Sequence, residues 1–464
     1  MRRRPKPDWL WTYEGKVGMP HLHFLALAMG LLVSPDVLIL LGNQTGRVGL
    51  AFLGMILVAG LIALGTAYSA AVLWTRFPGP GGESRGLQMA LGTLPAMVLP
   101  LCARLVLWVC ASTGILAIAG YVFNEVFVYW FPNLGFSFCL LGFLLVVNLL
   151  GPRVAKTAQC LFVATALSGL LVLSALAWLG SAHVPLPPAT VQPTPAALLH
   201  GALGGLVLFV GFDLALCMPT SQASRSLPVG KCLALGILLG GVTFCIWSLA
   251  SIRVVPAEQL ATSTVPHMVT ARMLLGQPGR VVMGIVVLAG VSSAVNALLM
   301  GVSRMLVGMA SQHLLPAFLA WSPQRAPVAL ILLALGPAVM MYVGMAGEPE
   351  TEVYARAGLV FWFMYYGAIH LAVLVLARRA HQGSSPRYAT WLPMVSMSVI
   401  ALGIVGLLWT DSEAGHLVRF ILLVMASVSS LSLCWMGWRL FKARAGRSRS
   451  GSLMKHGQVD NHGV

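Results

Sequence analysis

About twelve segments of roughly 20 apolar residues dominate the chain, and each is long enough to cross a bilayer. Only 9% of the residues are charged, against about 25% in soluble domains, which excludes a soluble multidomain protein. The sequence therefore predicts an all-α polytopic membrane protein. The predicted spans are residues 22–42, 48–73, 94–128, 134–150, 158–180, 198–218, 231–252, 277–310, 327–345, 354–377, 391–410 and 416–437.

The basic residues lie mainly on one side of these spans. With a cytoplasmic N-terminus, 21 of the 29 Lys and Arg residues fall at cytoplasmic ends and loops, and this asymmetry sets the orientation. We therefore expect both termini to be cytoplasmic and the protein to lie in the plasma (inner) membrane. Anionic lipids at the cytoplasmic face are the expected electrostatic partner. No single basic face forms, so nucleic acid is not an expected partner.

Two spans each contain a helix-disrupting residue beside a lone carboxylate. The first reads Ser34-Pro35-Asp36 and the sixth reads Gly211-Phe212-Asp213. An ionised side chain in hydrocarbon costs about 2.5–3.5 kcal/mol on insertion scales, so such an acid indicates a functional site. Interrupted helices at corresponding positions of two chain halves are typical of a transporter's binding site.

Each interruption has a functional and a structural interpretation. Pro35 frees carbonyls near residues 30–32, which can coordinate a cation or an amine; alternatively it is a simple kink with Asp36 near the outer interface. Unwinding near Gly211 exposes N–H groups that favour an anion, unless Asp213 itself caps them. Both interpretations stay open at this point.

Three stretches resemble the amino acid–polyamine–organocation (APC) permease superfamily over about residues 20–440. RFPGPGGE at 76–83 is similar to the family's cytoplasmic stretch before its third helix. VGFD at 210–213 with SRSLPVGK at 224–231 is similar to its sixth helix and the loop that follows. NALLMGVSRMLVGMASQHLLP at 296–316, followed by RAPVAL at 325–330, resembles its eighth helix and is the most specific of the three.

The resemblance implies a 5+5 inverted repeat with two extra helices and alternating access around a midplane site. The first repeat would cover about 22–180, the second about 198–377 and the extra helices about 391–437. A cytoplasmic N-terminal segment at 1–21 and a basic, disordered cytoplasmic tail at 438–464 would flank them.

The resemblance also implies site residues. Those expected at the substrate are Gly30, Leu31, Leu32, Ser34, Asp36, Phe209, Gly211, Phe212, Asp213 and Trp362. Those expected at the coupling ion or proton are Asp213, Ser292, Ser293 and Asn296. Ordinary aromatic packing is the alternative role of Trp362. No cofactor or metal is expected, because the eight cysteines lack metal-ligand spacing.

Departures from the family and the isolated charges leave the substrate open. The lysine that some proton-coupled members carry in the fifth helix is missing from residues 164–167. Asp36 and Asp213 either share a cationic substrate, or one binds an amine while the other carries a proton. Arg104 needs a partner, and either acid would serve. His370 is expected to be neutral and bonded to a hydroxyl.

These observations favour a secondary active transporter for amino acids or related amines, coupled to protons or working by exchange. A non-transporting nutrient sensor with the same fold is the alternative. An enzyme is disfavoured because no HExxH motif occurs in the sequence. A channel is disfavoured because no ring of charges or repeated filter sequence is visible. The oligomeric state stays open.

Overall fold

A chain in hydrocarbon must satisfy its own backbone hydrogen bonds, and helices do so within each segment. The structure is a computed structural model that describes residues 20–180, 194–218, 229–321, 327–379 and 388–456. Within these ranges the regular structure is all helical. The α-helices are α1 Pro20–Ala28, α2 Pro35–Val48, α3 Ala51–Arg76, α4 Gly82–Leu91, α5 Thr93–Val126, α6 Asn133–Leu149, α7 Pro152–Leu179, α8 Pro195–Val207, α9 Val229–Val254, α10 Ala257–Thr262, α11 Pro266–Leu275, α12 Gln277–Ser311, α13 Val328–Tyr342, α14 Pro349–Arg379, α15 Tyr388–Thr410 and α16 Ala414–His456.

The predicted all-α membrane architecture is confirmed. In the described part of the chain, nine segments are long and apolar enough to cross a membrane. They are α3, α5, α7, residues 195–217, α9, α12, α14, most of α15 and most of α16. Helices α6 and α13 are apolar but shorter, and α1 and α2 divide the first predicted span between them. The count of twelve spans and the inverted repeat stay predictions.

Both predicted helix breaks are present. Helix α1 ends at Ala28 and α2 begins at Pro35, with turns between them. Helix α8 ends at Val207, and a short 3-10 helix, Phe212–Cys217, follows a second set of turns. Gly211 has φ +99°, and a Cβ there would lie 2.6 Å from Leu31 Cδ2. The two breaks therefore pack directly against each other, which is possible only because residue 211 has no side chain.

Helix α4, which the sequence reasoning did not predict, is held at its start by close backbone packing. It follows Gly81, whose φ is +73°. A Cβ on Gly308 of α12 would lie 2.4 Å from the carbonyl carbon of Pro80. This close approach fixes the first turn of α4 against α12, and Glu83 lies in that turn.

The predicted flanking segments fall partly outside the described residues. Of the N-terminal segment, residues 1–19 lie outside, as does most of the connection at 182–197. The predicted disorder beyond residue 438 differs from the structure, because α16 continues to His456. Arg, Leu, Lys and Ala have high helix propensity, which accounts for the continuation. Residues 457–464 lie outside the described part.

We predict that Gly308→Ala lowers the stability of the protein. The added methyl group meets the Pro80 backbone, and overpacking of this kind costs about 1–3 kcal/mol. The matched control is Gly142→Ala, also in a helix, where a Cβ meets nothing within 4 Å. Thermal melts of the two purified variants in detergent would measure the difference. Equal melting temperatures would show that the contact between α4 and α12 is not tight.

Candidate functional site

A single buried guanidinium joins elements that are far apart in the sequence. Arg104 on α5 donates from Nη2 to Glu83 Oε2 at 2.7 Å and to Asp213 Oδ2 at 2.6 Å. Its Nη1 donates to Cys217 Sγ at 2.8 Å. Arg104 and Asp213 are both 0% exposed, and the Glu83 side chain is 8% exposed. The expected partner of Arg104, either Asp36 or Asp213, is thus Asp213.

Three aromatic residues of α14 complete this group. Tyr366 Oη donates to Asp213 Oδ1 at 2.8 Å, and Trp362 Nε1 donates to the same oxygen at 3.1 Å. Tyr365 Oη donates to Glu83 Oε2. The Arg104 guanidinium also lies 5.1 Å from the Tyr365 ring centroid, within cation–π range. We call Glu83, Arg104, Asp213, Trp362, Tyr365 and Tyr366 the Arg104 cluster.

The two carboxylates of the Arg104 cluster are not equally satisfied. Asp213 accepts hydrogen bonds on both oxygens, three in all. Glu83 accepts only on Oε2, and its buried Oε1 has no hydrogen-bond partner in the described residues. Burial raises the pKa of the Glu83 carboxyl, while the positive charge of Arg104 acts in the opposite direction. The cluster therefore holds one fully bonded carboxylate and one half-bonded carboxyl.

Asp36 is in a different environment from Asp213. It lies in the first turn of α2, directly after the first break, and its side chain is exposed. No ion pair or hydrogen bond to its side chain occurs in the described part of the chain. Glu352, in the first turn of α14, is also exposed and close enough for the two carboxylates to repel each other. Asp36 is thus an open carboxylate beside the break.

A neutral polar network lies on the other side of the first break. Gln159 Nε2 on α7 donates to the Ser293 hydroxyl at 2.9 Å and to the Ala26 carbonyl at 3.3 Å. Ser293 in turn donates to the Gly30 carbonyl at 3.1 Å. The Ser293 hydroxyl of α12 is therefore bonded both to the carbonyl freed at Gly30 and to the Gln159 amide, which also bonds to the Ala26 carbonyl.

The same network extends away from the break. Asn296 Nδ2 donates to Gln159 Oε1 at 2.8 Å, and Asn148 Nδ2 donates to Asn296 Oδ1 at 2.7 Å. Ser292, which was predicted beside Ser293, instead donates to the Leu288 carbonyl of its own helix at 2.8 Å. We call Gln159, Ser293, Asn296 and Asn148 the amide network.

The remaining predicted site residues line the breaks as apolar or backbone groups. Leu32, Phe209 and Phe212 are buried, and Phe212 stacks on Tyr366 with a centroid distance of 5.6 Å. Ser34 precedes α2 without a side-chain capping bond. The predicted role of Trp362 as a substrate contact remains a prediction; in the structure it bonds to Asp213.

Sequence reasoning missed two groups at the core of this site. Glu83 directly follows the Gly-Gly pair of the first family-like stretch, and that position was its only signal. Gln159 lies at the start of the fifth predicted span, and an uncharged amide at that position does not by itself indicate a functional site. His370 was foreseen correctly: its ring nitrogens lie 3.1 Å from Thr66 Oγ1 and 2.9 Å from Ser69 Oγ.

We predict that Arg104→Met destabilises the protein by about 3–5 kcal/mol. The change leaves two buried acids without their cation, which is far costlier than the loss of a surface pair. Arg280→Met is the matched control, because Arg280 pairs with the exposed Glu125 at 3.1 Å. An ion pair at the surface contributes only about 0–1 kcal/mol to stability. Melting temperatures of both variants test this. A similar small loss for both would show that the buried pairing is not structural.

Comparison with known proteins gives a family and a fold. Residues 22–430 match a family model described as amino acid permease. No curated protein matches the chain. Among solved structures, the chain is similar to a manganese transporter of Eremococcus coleocola in complex with an aromatic bis-isothiourea substituted compound. The identity is 13% and the TM-score 0.52, over 95% of this chain and 99% of the other. At this identity the similarity concerns the fold alone.

Proposed function

The chain belongs to the amino acid permease family of the APC superfamily, and we propose that it moves amino acids or related amines across the membrane by alternating access. Family and fold together make it a multi-pass membrane transporter. The proposal about substrate and mechanism rests on the contrast between the two acids that lie beside the helix breaks. Asp36 is exposed and unpaired in the described structure, whereas Asp213 is buried and fully bonded.

This contrast supports alternating access because it separates an open side from a closed side. The Arg104 cluster joins α4, α5, α14 and the 3-10 helix and is almost fully buried. Asp36 and Glu352, which is in the first turn of α14, lie outside this cluster and are exposed. With the predicted orientation, this difference supports a state that is open outward and closed inward.

Asp36 is the group best placed to recognise an amine. A substrate ammonium would supply the cation that this carboxylate lacks among the described residues. Asp213 has no free oxygen to offer while the Arg104 cluster is closed. The two acids therefore divide the roles: Asp36 faces substrate, and Asp213 belongs to the closed side.

The amide network supports coupling to protons, or exchange, rather than to sodium. Sodium needs a set of oxygen ligands, and the Gly30 carbonyl and Ser293 hydroxyl would be two of them. Gln159 Nε2 already donates a hydrogen bond to the Ser293 hydroxyl, and this hydroxyl in turn donates to the Gly30 carbonyl. A cation there would have to displace a satisfied amide, which is unfavourable for a buried polar network.

We predict that Asp36→Asn weakens amine binding by about 10- to 100-fold. A hydrogen bond to a charged group is worth about 1.5–3 kcal/mol, and 1.4 kcal/mol is a factor of ten. The measurement is thermal stabilisation of the purified protein by amino acids and polyamines, since a ligand in excess raises stability. Glu258→Gln, which removes an exposed carboxylate on α10, is the control and should bind as the parent does.

Flux separates transport from sensing. The parent protein, reconstituted in liposomes, should move the ligand found in the thermal screen, and Asp36→Asn should do so only at higher ligand concentration. Binding without flux would favour the nutrient sensor instead. Unchanged amine binding in Asp36→Asn would show that the substrate is recognised elsewhere.

We also predict that replacing potassium by sodium changes neither ligand binding nor flux. The reason is that the Ser293 hydroxyl already bonds to the Gly30 carbonyl and to the Gln159 amide, so neither oxygen is free for a sodium ion. Binding and flux are measured in the two salts at equal ionic strength and pH. Gln159→Ala, which removes the amide, is the informative comparison. A clear sodium requirement in the parent protein would contradict the assignment of the amide network.

A further inference from the structure

We propose that Glu83 is a proton-binding residue, protonated while the Arg104 cluster is closed and deprotonated when the cluster opens toward the cytoplasm. The inference deepens the proposed function and rests on it only for the direction of opening. The protonation itself is a property of the closed structure and can be measured without any transport.

The first argument is the charge of the closed cluster. It contains two carboxyl groups, Glu83 and Asp213, and both bond to the same Arg104 Nη2. If both were ionised, the buried cluster would carry a net charge of minus one. A net charge in a water-free site is strongly unfavourable, and carboxyl groups that share a site commonly hold a proton between them. One added proton makes the cluster neutral.

The second argument assigns the proton to Glu83 rather than Asp213. Three donors point at Asp213, one from Arg104 and two from the aromatic residues of α14, so both of its oxygens already accept hydrogen bonds. Glu83 Oε1 is buried and has no donor in the described residues. An ionised Glu83 would leave an unsatisfied charged oxygen there. Protonation at Oε1 removes that charge and keeps both bonds to Oε2.

Among the charged and titratable neighbours in the described residues, no second basic side chain pairs with the Glu83 carboxyl. Arg104, Asp213, Cys217 and Tyr365 face it from α5, the 3-10 helix and α14. Arg304 on α12 bonds to Met218 Sδ at 3.5 Å. Three more basic residues lie on or near α4: Arg76 and Arg85, which are exposed, and Arg379, which bonds to the Met89 and Ala90 carbonyls. In the described structure, Arg104 is the only basic residue that bonds to the Glu83 carboxyl.

Opening the cluster reverses the balance. Separating α4 from α5 exposes Glu83 to water, where an unperturbed glutamic acid has a pKa of about 4.3 and is ionised at neutral pH. In the closed state its pKa is raised, mainly by burial. Closure therefore takes up one proton. The closed state is favoured below the ordinary pKa, and that preference is lost as pH rises through the raised value.

The test is infrared difference spectroscopy of the purified protein between neutral and alkaline pH. A protonated buried carboxyl gives a carbonyl stretching band that disappears on ionisation. We expect one such band in the parent protein, its loss in Glu83→Gln and its retention in Asp213→Asn. Glu258→Gln, which alters an exposed acid, should leave the spectrum unchanged.

Tyr365→Phe keeps the test decisive if Glu83→Gln does not fold. It removes the hydrogen bond to Glu83 Oε2, so the band should move to higher frequency without vanishing. A band that survives in Glu83→Gln, or that only Asp213→Asn removes, overturns the proposal. So does the absence of any titrating band in the parent protein. Failure of the liposome flux assay alone would count against the proposed function and leave the proton site standing.

Discussion

The buried pairing of Arg104 with two acids is the interaction on which the arrangement of this protein depends. A guanidinium with 0% exposure is tolerable in a protein interior only when carboxylates and hydrogen-bond acceptors surround it. Those partners come from α4, the 3-10 helix and α14, and they lie 21 to 261 positions from Arg104 along the chain. The need to satisfy one charge therefore brings the neighbouring α4 and two distant elements to α5. The Gly81 turn and the Gly211 turn are the backbone features that allow two of them to approach.

The two helix breaks, similar in sequence, end in different chemical roles. At the first break, the carbonyls of Ala26 and Gly30 accept hydrogen bonds from an amide and a hydroxyl, so uncharged groups satisfy them. At the break in the sixth predicted span, the 3-10 helix places Asp213 in the Arg104 cluster. Asp36 lies next to the first break, but its side chain bonds neither to the amide network nor to the Arg104 cluster. The two breaks thus place an exposed carboxylate apart from the buried charges of the Arg104 cluster.

The sequence predicted what depends on local backbone chemistry and missed what depends on long-range pairing. Pro35 and Gly211 disrupt a helix wherever the chain goes, so both breaks were predictable. The pairing of Arg104 was narrowed to two acids, because a buried cation must find one. Nothing local distinguishes Asp36 from Asp213, however, and their difference arises from α14 aromatic residues about 150 positions away. Glu83 was missed for the same reason, since a loop glutamate normally faces water.

Coupling an ion gradient to a conformational change requires a group whose ion binding differs between the two states. In the described part of the chain, Glu83, Arg104 and Asp213 are the only Asp, Glu, Lys or Arg residues that are buried as whole residues. The amide network has no charge to change, and Asp36 is already in contact with solvent. Arg104 stays protonated because its guanidinium is an extremely weak acid. Within the Arg104 cluster, a proton can therefore add only to one of the two acids, and Glu83 is the acid that has an oxygen without a hydrogen bond in the described residues.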